Sequence, residues 1–198
     1  MEELLQELKK NKLFAAFSDE TLRNFIVPNG RLVHFEKNKA IFDANERVDK
    51  LYAVVSGQVR MVRFFANGVE NLMGKIQSPN LLGLDLVCTR TRISPYHAIA
   101  AEQTTLFSFS ADRILKQGIL PEQERLTAVD ALLQMLSHLN MQKEYRLAIL
   151  TRTSLRERIT IYLSMQASRR GMGSFEIPFS REELAAFLSV TAVRFRTS

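Results

Sequence analysis

Lysine and arginine side chains that could neutralise phosphate groups are concentrated near the carboxyl-terminal end of this 198-residue chain. From position 143 to position 198 there are ten basic and five acidic residues, so this segment carries +5 of the total charge of +6. Lysine and arginine supply most of the sequence-independent attraction of proteins to nucleic acids. The distribution therefore indicates either a surface for a polyanion or a solvated basic face, and charge alone does not separate the two.

Residues that could support metal or covalent catalysis are few and scattered. The histidines are His34, His97 and His138, with no His-x-His pair, and neither a Ser-His-Asp spacing nor a glycine-rich phosphate loop occurs. A cupin-like metal enzyme is therefore disfavoured, and we expect no enzyme activity. The single cysteine, Cys88, excludes an internal disulfide framework and a four-thiolate iron–sulfur cluster within one chain. Beside Leu86 and Val87, we expect this thiol to be a small buried hydrophobe and not a redox switch.

The sequence also bears on where the protein works. No stretch approaches the roughly 18 apolar residues of a membrane span. The opening segment, MEELLQELKKNK, mixes acids with leucines and lacks the features of a secretion signal. We therefore expect a cytoplasmic protein without a membrane partner.

The first two thirds of the chain predict two short helices followed by a β-rich region. Residues 2–10 have leucines at helical spacing, and Ser18 is a plausible N-cap for a second helix that ends at Pro28-Asn29-Gly30. From Arg31 to about Ser110, short β-rich runs alternate with turn residues, and Asn67-Gly68 favours a tight hairpin. Many short strands of this kind predict an antiparallel barrel or roll.

A long helix is predicted from about Pro121 to Leu150. It carries a stripe of residues at alternating spacings of three and four: Leu126, Val129, Leu133, Leu136 and Asn140. Apolar residues occupy so wide an arc of this helix that two different packing partners are needed to bury them. The β-roll would cover one side, and the same helix of a second copy would cover the stripe, with Asn140 setting the register. The alternative is that the whole helix packs inside one chain.

The last segment contains two predicted capping boxes, Ser154 with Glu157 and Ser180 with Glu183. Each predicts a helix start, and residues 174–179 between the two helices are predicted to be extended. Thr191 is the predicted N-cap of a further helix.

The order of a β-roll, a long interface helix and a helix-turn-helix resembles the CRP/FNR family, the bacterial transcription regulators related to the cyclic-AMP receptor protein. Five pieces carry the resemblance: the strand-Gly-strand segment 51–60, Gly68 in the hairpin, Leu81-Leu82-Gly83 at the entry to the effector pocket, and the reader-like segments 181–185 and 188–191. Each is weak alone, but their order covers nearly the whole chain.

The resemblance implies a fold and a division of labour. The fold class would be α+β: an antiparallel, cyclic-nucleotide-binding-like β-roll with flanking helices, a long dimerisation helix and an incomplete winged helix-turn-helix. The domains would be 1–120, 121–150 and 151–198. The resemblance also implies a homodimer that binds an inverted repeat in double-stranded DNA, an unidentified small-molecule effector, and RNA polymerase as a partner.

The resemblance assigns residues to these tasks. The expected DNA-binding residues are Ser180, Arg181, Thr191, Ala192, Arg194 and Arg196. The expected effector pocket contains Gly83, Leu84, Asp85, Ser94 and Leu132. The stripe on the long helix is the expected dimer interface.

The pocket departs from that of the cyclic-nucleotide-binding members. There, a Gly-Glu-Leu set holds the ribose and an Arg-Ser pair holds the cyclic phosphate. Here the matching residues are Gly83-Leu84-Asp85 and Ser94-Pro95, which provide neither that carboxylate nor that positive charge. Cyclic AMP is therefore disfavoured as the effector, although Arg90 and Arg92 are available for an acidic molecule if they are not simply exposed loop residues.

Two other cofactors of the family are also disfavoured. The iron–sulfur cluster of the fumarate-nitrate branch requires several cysteines. Haem would need His97 or Cys88 as its axial ligand, and a histidine in the run Tyr96-His97-Ala98-Ile99 is more typical of a core or edge position.

The end of the sequence departs from the family as well. The positions that match the family's base-reading residues hold Ala192, Val193 and Thr197, while Arg194 and Arg196 are out of register. The chain stops at Ser198, before a complete recognition helix and wing. We expect a reading-frame slip or truncation, with a natural variant as the alternative, and weak, salt-sensitive DNA binding by the chain as it stands. A sensory or interaction module that no longer binds DNA is the competing function.

Overall fold

Helices and strands follow one another in the predicted order. The computed structural model describes residues 1–66, 68–170, 177 and 179–188, and only the backbone of Arg169 and Arg170. Within these ranges the α-helices are α1 (Glu2–Lys9), α2 (Lys12–Ala15), α3 (Asp19–Thr21), α4 (Leu84–Val87), α5 (Asp112–Leu115), α6 (Glu122–Leu150), α7 (Leu155–Arg170) and α8 (Arg181–Phe187). The strands are β1 (Gly30–Phe35), β2 (Ala40–Phe42), β3 (Lys50–Ser56), β4 (Gln58–Phe64), β5 (Glu70–Gln77), β6 (Leu81–Leu82), β7 (His97–Ala100) and β8 (Thr104–Ser110).

The chain divides into two compact units. The roll unit contains Met1–Arg63 and Gly74–Ser137, and the helical unit contains Phe64–Met73 and His138–Ser198. The long helix α6 and the strands β4 and β5 each contribute residues to both units.

Short-range caps explain the amino-terminal helices of the roll unit. Ser18 accepts a hydrogen bond from Thr21 N at 3.1 Å, which confirms it as the N-cap of α3. The helix then continues as a π-helical segment, Leu22–Ile26. The sequence interpretation missed α2, a single turn that begins because the Asn11 side chain accepts from Leu13 N at 2.9 Å.

Two four-stranded antiparallel sheets make up the roll and confirm the predicted β architecture. Their strand orders are β1-β8-β3-β6 and β2-β7-β4-β5. Strand β8 lies between β1 and β3, so Phe109 pairs with Gly30 on one side and with Leu51 on the other. Phe107 stacks near Phe109, with ring centroids 6.4 Å apart, and meets the edge of Phe14 from α2. Phe107 and Phe109 lie in the sheet whose last strand, β6, leads into α4.

Candidate functional site

The predicted capping box at Ser180 is present and defines the start of α8. Ser180 Oγ accepts from Glu183 N at 3.2 Å, and Ser180 N donates to Glu183 Oε2 at 2.8 Å. Arg181 follows in the first turn and is exposed. At the other predicted box, Ser154 Oγ accepts from Glu157 N at 3.1 Å, directly before α7. Each hydroxyl oxygen thus accepts a hydrogen bond from a backbone N–H group in the first turn, where such groups have no partner within the helix.

A compact hydrophobic cluster in the helical unit holds α8 against α6 and α7. Its buried members are Ile149, Tyr162, Leu184 and Leu188. Phe187 stacks on Phe179 at 5.0 Å between ring centroids and meets Tyr162 at 5.9 Å. The apolar residues of α8 are buried here, while Arg181, in the first turn of the helix, is exposed.

Four of the predicted DNA-contacting residues fall beyond α8. Thr191, Ala192, Arg194 and Arg196 lie outside the described residues, as does the predicted helix start at Thr191. The same holds for most of the predicted extended segment 174–179 and for any wing. Those predictions stay predictions.

A buried tyrosine links the predicted pocket residues in the roll unit. Tyr96 Oη donates to Asp85 Oδ1 at 3.0 Å. Ser94 is fully buried, and its hydroxyl donates to Tyr96 O at 2.6 Å and accepts from Tyr96 N at 3.2 Å. Burial, followed by the nearby Asp85 carboxylate, raises the pKa of Tyr96 well above its ordinary value, so the phenol stays protonated as a donor.

The remaining pocket residues have structural roles that limit their use for a ligand. Gly83 has φ +87° and begins α4, so the turn into this helix requires a left-handed residue. Leu84 is 1% exposed and Leu132 is 3% exposed. The sequence interpretation missed Tyr96, whose partners are 2 and 11 positions away and whose own neighbours gave no polar motif.

The expectation of exposed arginines between α4 and β7 is correct for Arg90 and wrong for Arg92. The Arg92 side chain is 17% exposed and forms ion pairs with Asp49 Oδ1 at 3.0 Å and Asp112 Oδ1 at 2.5 Å. The fold brings these carboxylates together from the segment before β3 and from α5. Arg92 therefore connects three segments of the roll unit through its two ion pairs. Its guanidinium group already has carboxylate partners within the chain.

This ion pair makes stability depend on pH in the acid range. The hydrogen bond from Arg92 holds the pKa of Asp112 below its ordinary value. A lowered pKa in the folded state stabilises the fold above the ordinary value of about 3.9, and the contribution is lost as pH falls through the lower folded value. We expect Asp112→Asn to lose less stability than wild type in urea titrations taken from about pH 5 to pH 2.

The effect should be modest because 35% of the Asp112 side chain is exposed to screening solvent. Glu3→Gln is the matched control, since Glu3 is an exposed carboxylate without an ion pair among the described residues. Identical acid slopes for wild type and Asp112→Asn would contradict the prediction.

Cys88 and His97, the two residues considered as haem ligands, occupy different environments. Cys88 is exposed at the end of α4, so the expectation of a buried thiol is wrong. The error arises because α4 is only one turn long and its apolar contacts end at Val87. His97 lies at the start of β7, partly buried, with Nδ1 2.9 Å from Asp43 Oδ1. In the described part of the chain, no three His, Cys, Asp or Glu side chains gather as a metal site.

The stripe on α6 is exposed within a single chain. Leu126 is 50% exposed and Leu133 is 58% exposed. The other stripe residues are Val129 and Leu136, which are half-buried, and Asn140, which is exposed. A neighbouring face of the same helix carries the buried Ala128 and Leu132. The same heptad position that holds Leu126, Leu133 and Asn140 holds Leu147 one heptad further on, and Leu147 is 56% exposed. Exposed leucines at this spacing form the kind of seam that a second helix covers.

Among the described residues, none of the helices combines the length and apolar character needed to cross a bilayer.

Comparison with known proteins identifies similar sequences and folds. A family model described as a cyclic nucleotide-binding domain matches residues 32–117. The global nitrogen regulator of Synechococcus elongatus is 24% identical over 169 residues, which cover 82% of this chain and 74% of that protein. The transcriptional activator protein FnrA of Stutzerimonas stutzeri is 26% identical over 170 residues, covering 83% of this chain and 66% of that protein.

Solved structures extend the likeness to the fold. The global regulator CLP of Xanthomonas campestris, described as c-di-GMP responsive, is 16% identical and aligns with a TM-score of 0.70. The alignment covers 91% of this chain and 89% of CLP. At this identity the likeness concerns the arrangement of helices and strands, and it agrees with the antiparallel roll and long helix described above.

Proposed function

We propose that this chain, a member of the CRP/FNR family of bacterial transcription regulators, is an effector-responsive, dimeric regulator that binds an inverted repeat in double-stranded DNA. The observation that carries the proposal is α8. Its capping box, its buried apolar residues and its exposed Arg181 support its assignment as the first helix of a DNA reader. In such a reader this helix holds phosphates while the next one reads base edges.

We assign the three proposed tasks to three consecutive parts of the chain. Residues 1–120 sense the effector, 121–150 dimerise, and 151–198 bind DNA. A two-fold dimer places two readers about one turn of DNA apart, roughly 34 Å, so the target is an inverted repeat. RNA polymerase is the proposed partner once the dimer is on DNA, and the protein works in the cytoplasm, where both are found.

The proposed effector is a small molecule other than cyclic AMP. The position that holds a ribose-binding glutamate in the nucleotide-binding members is Leu84, which is buried and has no acceptor in its side chain. The position of the phosphate-binding arginine is Ser94, whose hydroxyl is already bonded to the Tyr96 backbone. Cyclic AMP would therefore leave its ribose hydroxyl and its phosphate without these partners.

Arg181→Glu tests the DNA proposal by its effect on salt dependence. Neutralising a phosphate releases counterions, so the logarithm of the affinity falls with the logarithm of salt concentration in proportion to the contacts made. We expect wild type to bind duplex DNA weakly and salt-sensitively, and Arg181→Glu to lower affinity on all sequences and reduce the salt slope by about 1 to 2. Gel shifts between about 50 and 200 mM salt measure both quantities.

Arg90→Glu is the control, because Arg90 is also an exposed arginine but lies in the roll unit. Selection from a random duplex library then reports whether an inverted repeat is preferred. A wild-type chain that binds no duplex at low salt, or two variants with equal effects, would contradict the proposal.

The competing function is a sensory or interaction module without DNA reading. It is favoured by Ala192 and Val193, which stand where the family places base-reading side chains. A wild-type dimer that responds to a ligand by thermal stabilisation but binds no duplex would establish this second function.

A further inference from the structure

One arginine of the helical unit bonds to two segments that are distant in sequence. Arg146, on α6, donates through Nη2 to Leu72 O at 2.6 Å and to Asn71 Oδ1 at 3.2 Å, and through Nη1 to Met73 O. These acceptors belong to the end of the β4–β5 hairpin that lies in the helical unit, of which residues 64–66 and 68–73 are described and are called the hairpin tip below. The side chain thus anchors the hairpin tip to the carboxyl-terminal half of α6.

The same guanidinium reaches the end of α8. Arg146 Nη2 donates to Phe187 O at 3.3 Å, and the guanidinium carbon lies 4.6 Å from the centroid of the Phe187 ring. Nη2 has two hydrogens and three acceptors, so at least one hydrogen bond is shared. Because acceptors from the hairpin and from α8 compete for one nitrogen, a shift of either segment changes the bonds available to the other.

A second arginine also donates a hydrogen bond to a carbonyl group at the end of α8. Arg158, on α7, donates through Nη1 to Leu188 O and through Nε to Arg152 O, both at 2.8 Å. The last carbonyl groups of a helix lack intrahelical donors and carry partial negative charge, so two guanidinium groups are well matched to them. Arg146 and Arg158 therefore each donate a hydrogen bond to a carbonyl group at the carboxyl end of α8.

We propose that Arg146 is a positioning residue that couples the β4–β5 hairpin to the reader helix α8. This inference rests on the proposed function, because it assigns α8 to DNA binding. Strands β4 and β5 run without a break from the roll unit into the hairpin tip. An effector that displaces these strands also displaces the hairpin acceptors of Arg146, because the chain is continuous. The guanidinium group then moves with these acceptors, which changes its hydrogen bond to Phe187 O at the carboxyl end of α8.

Hydrogen exchange on the full chain tests the anchor without any DNA. The amides of Leu188, which donates to Leu184 O, and Phe65, which donates to Val69 O, report on α8 and on the hairpin tip. We expect Arg146→Met to raise exchange at both amides by about tenfold or more, since partly buried hydrogen bonds from a charged group are lost. Arg146→Lys keeps a charge but not the planar fork, so it should give an intermediate increase.

Arg156→Met is the matched control, because Arg156 is exposed and its guanidinium has no hydrogen bond within the described part of the chain. It should leave both amides unchanged. An Arg146→Met protein that exchanges faster at only one of the two amides would overturn the coupling. If Arg146→Met does not fold, the lysine variant gives the same comparison.

A double-mutant cycle with Asn71 separates coupling from a merely structural anchor. Asn71→Ala changes only the hairpin, yet we expect it to raise exchange at Leu188 by about two- to threefold in the wild-type background. In the Arg146→Met background it should add nothing there. Unchanged exchange at Leu188 in Asn71→Ala, or equal effects in both backgrounds, would refute the proposal.

Failure of the proposed function has a different signature. If wild type binds no duplex, the DNA proposal fails while the exchange results still decide whether the hairpin and α8 are coupled. If wild type binds, Arg146→Met should lower affinity at least about fivefold without changing the salt slope, because Arg146 contacts no phosphate. A reduced slope would make Arg146 a phosphate contact and contradict its positioning role.

Discussion

Leu133→Glu is expected to convert the proposed dimer to a monomer without unfolding it. Leu133 is 58% exposed in the single chain, so the substitution removes little of the chain's own packing. In a two-fold dimer the same patch faces itself, so each interface would bury two copies of the new carboxylate among leucines. An unpaired charge desolvated in this way is costly, and we expect the dimer dissociation constant to rise at least about 100-fold.

Analytical ultracentrifugation across a concentration series measures the change. Thr127→Glu is the control, because it adds the same charge to α6 at an exposed position outside the stripe. Circular dichroism should show equal helix content in all three proteins. Equal dissociation constants for the two variants would mean that the leucine stripe is not the interface.

Gly57→Ala is expected to destabilise the roll unit strongly, and more than Gly118→Ala, although both substitutions add one methyl group. Gly57 joins β3 to β4 with φ +82°, and a Cβ there would lie 2.4 Å from Gln103 O and 2.8 Å from Thr104 Cα. Both neighbours are backbone atoms, so the clash is not relieved by a side-chain rotation. Thr104 Oγ1 also bonds to Gln58 N and O, which fixes the turn against β8.

We expect the free energy of unfolding to fall by about 2–5 kcal/mol, from the left-handed backbone and the overpacking together. Gly118→Ala separates these causes, because Gly118 has φ +76° but a Cβ added to it would meet no atom within 4 Å. It should cost only about 1 kcal/mol. Urea titration gives both values, and similar losses for the two variants would show that the close approach at Gly57 contributes nothing.

The partners of Arg92 and Arg146 could not be predicted from the sequence. Arg92 was expected to be an exposed loop residue, yet it pairs with Asp49, 43 positions away. Arg146 entered only as one of ten basic residues, yet its hairpin partner Asn71 is 75 positions away. Nothing in the residues around either arginine specifies such a partner, because the pairing follows from how the strands and helices are placed.

The local features of the chain were determined by the sequence alone. The caps at Ser18 and Ser180 depend on atoms three residues apart, and the α6 stripe depends on helical periodicity, so both can be found before any tertiary contact is known. Tertiary structure decided the rest: the exposure of Cys88, the use of Ser94 and Asp85 by the buried Tyr96, and the sharing of Arg146 between a hairpin and α8. The physical reason is that a hydrogen bond or an ion pair requires atoms within a few ångströms, and for residues far apart in sequence only the folded chain sets that distance.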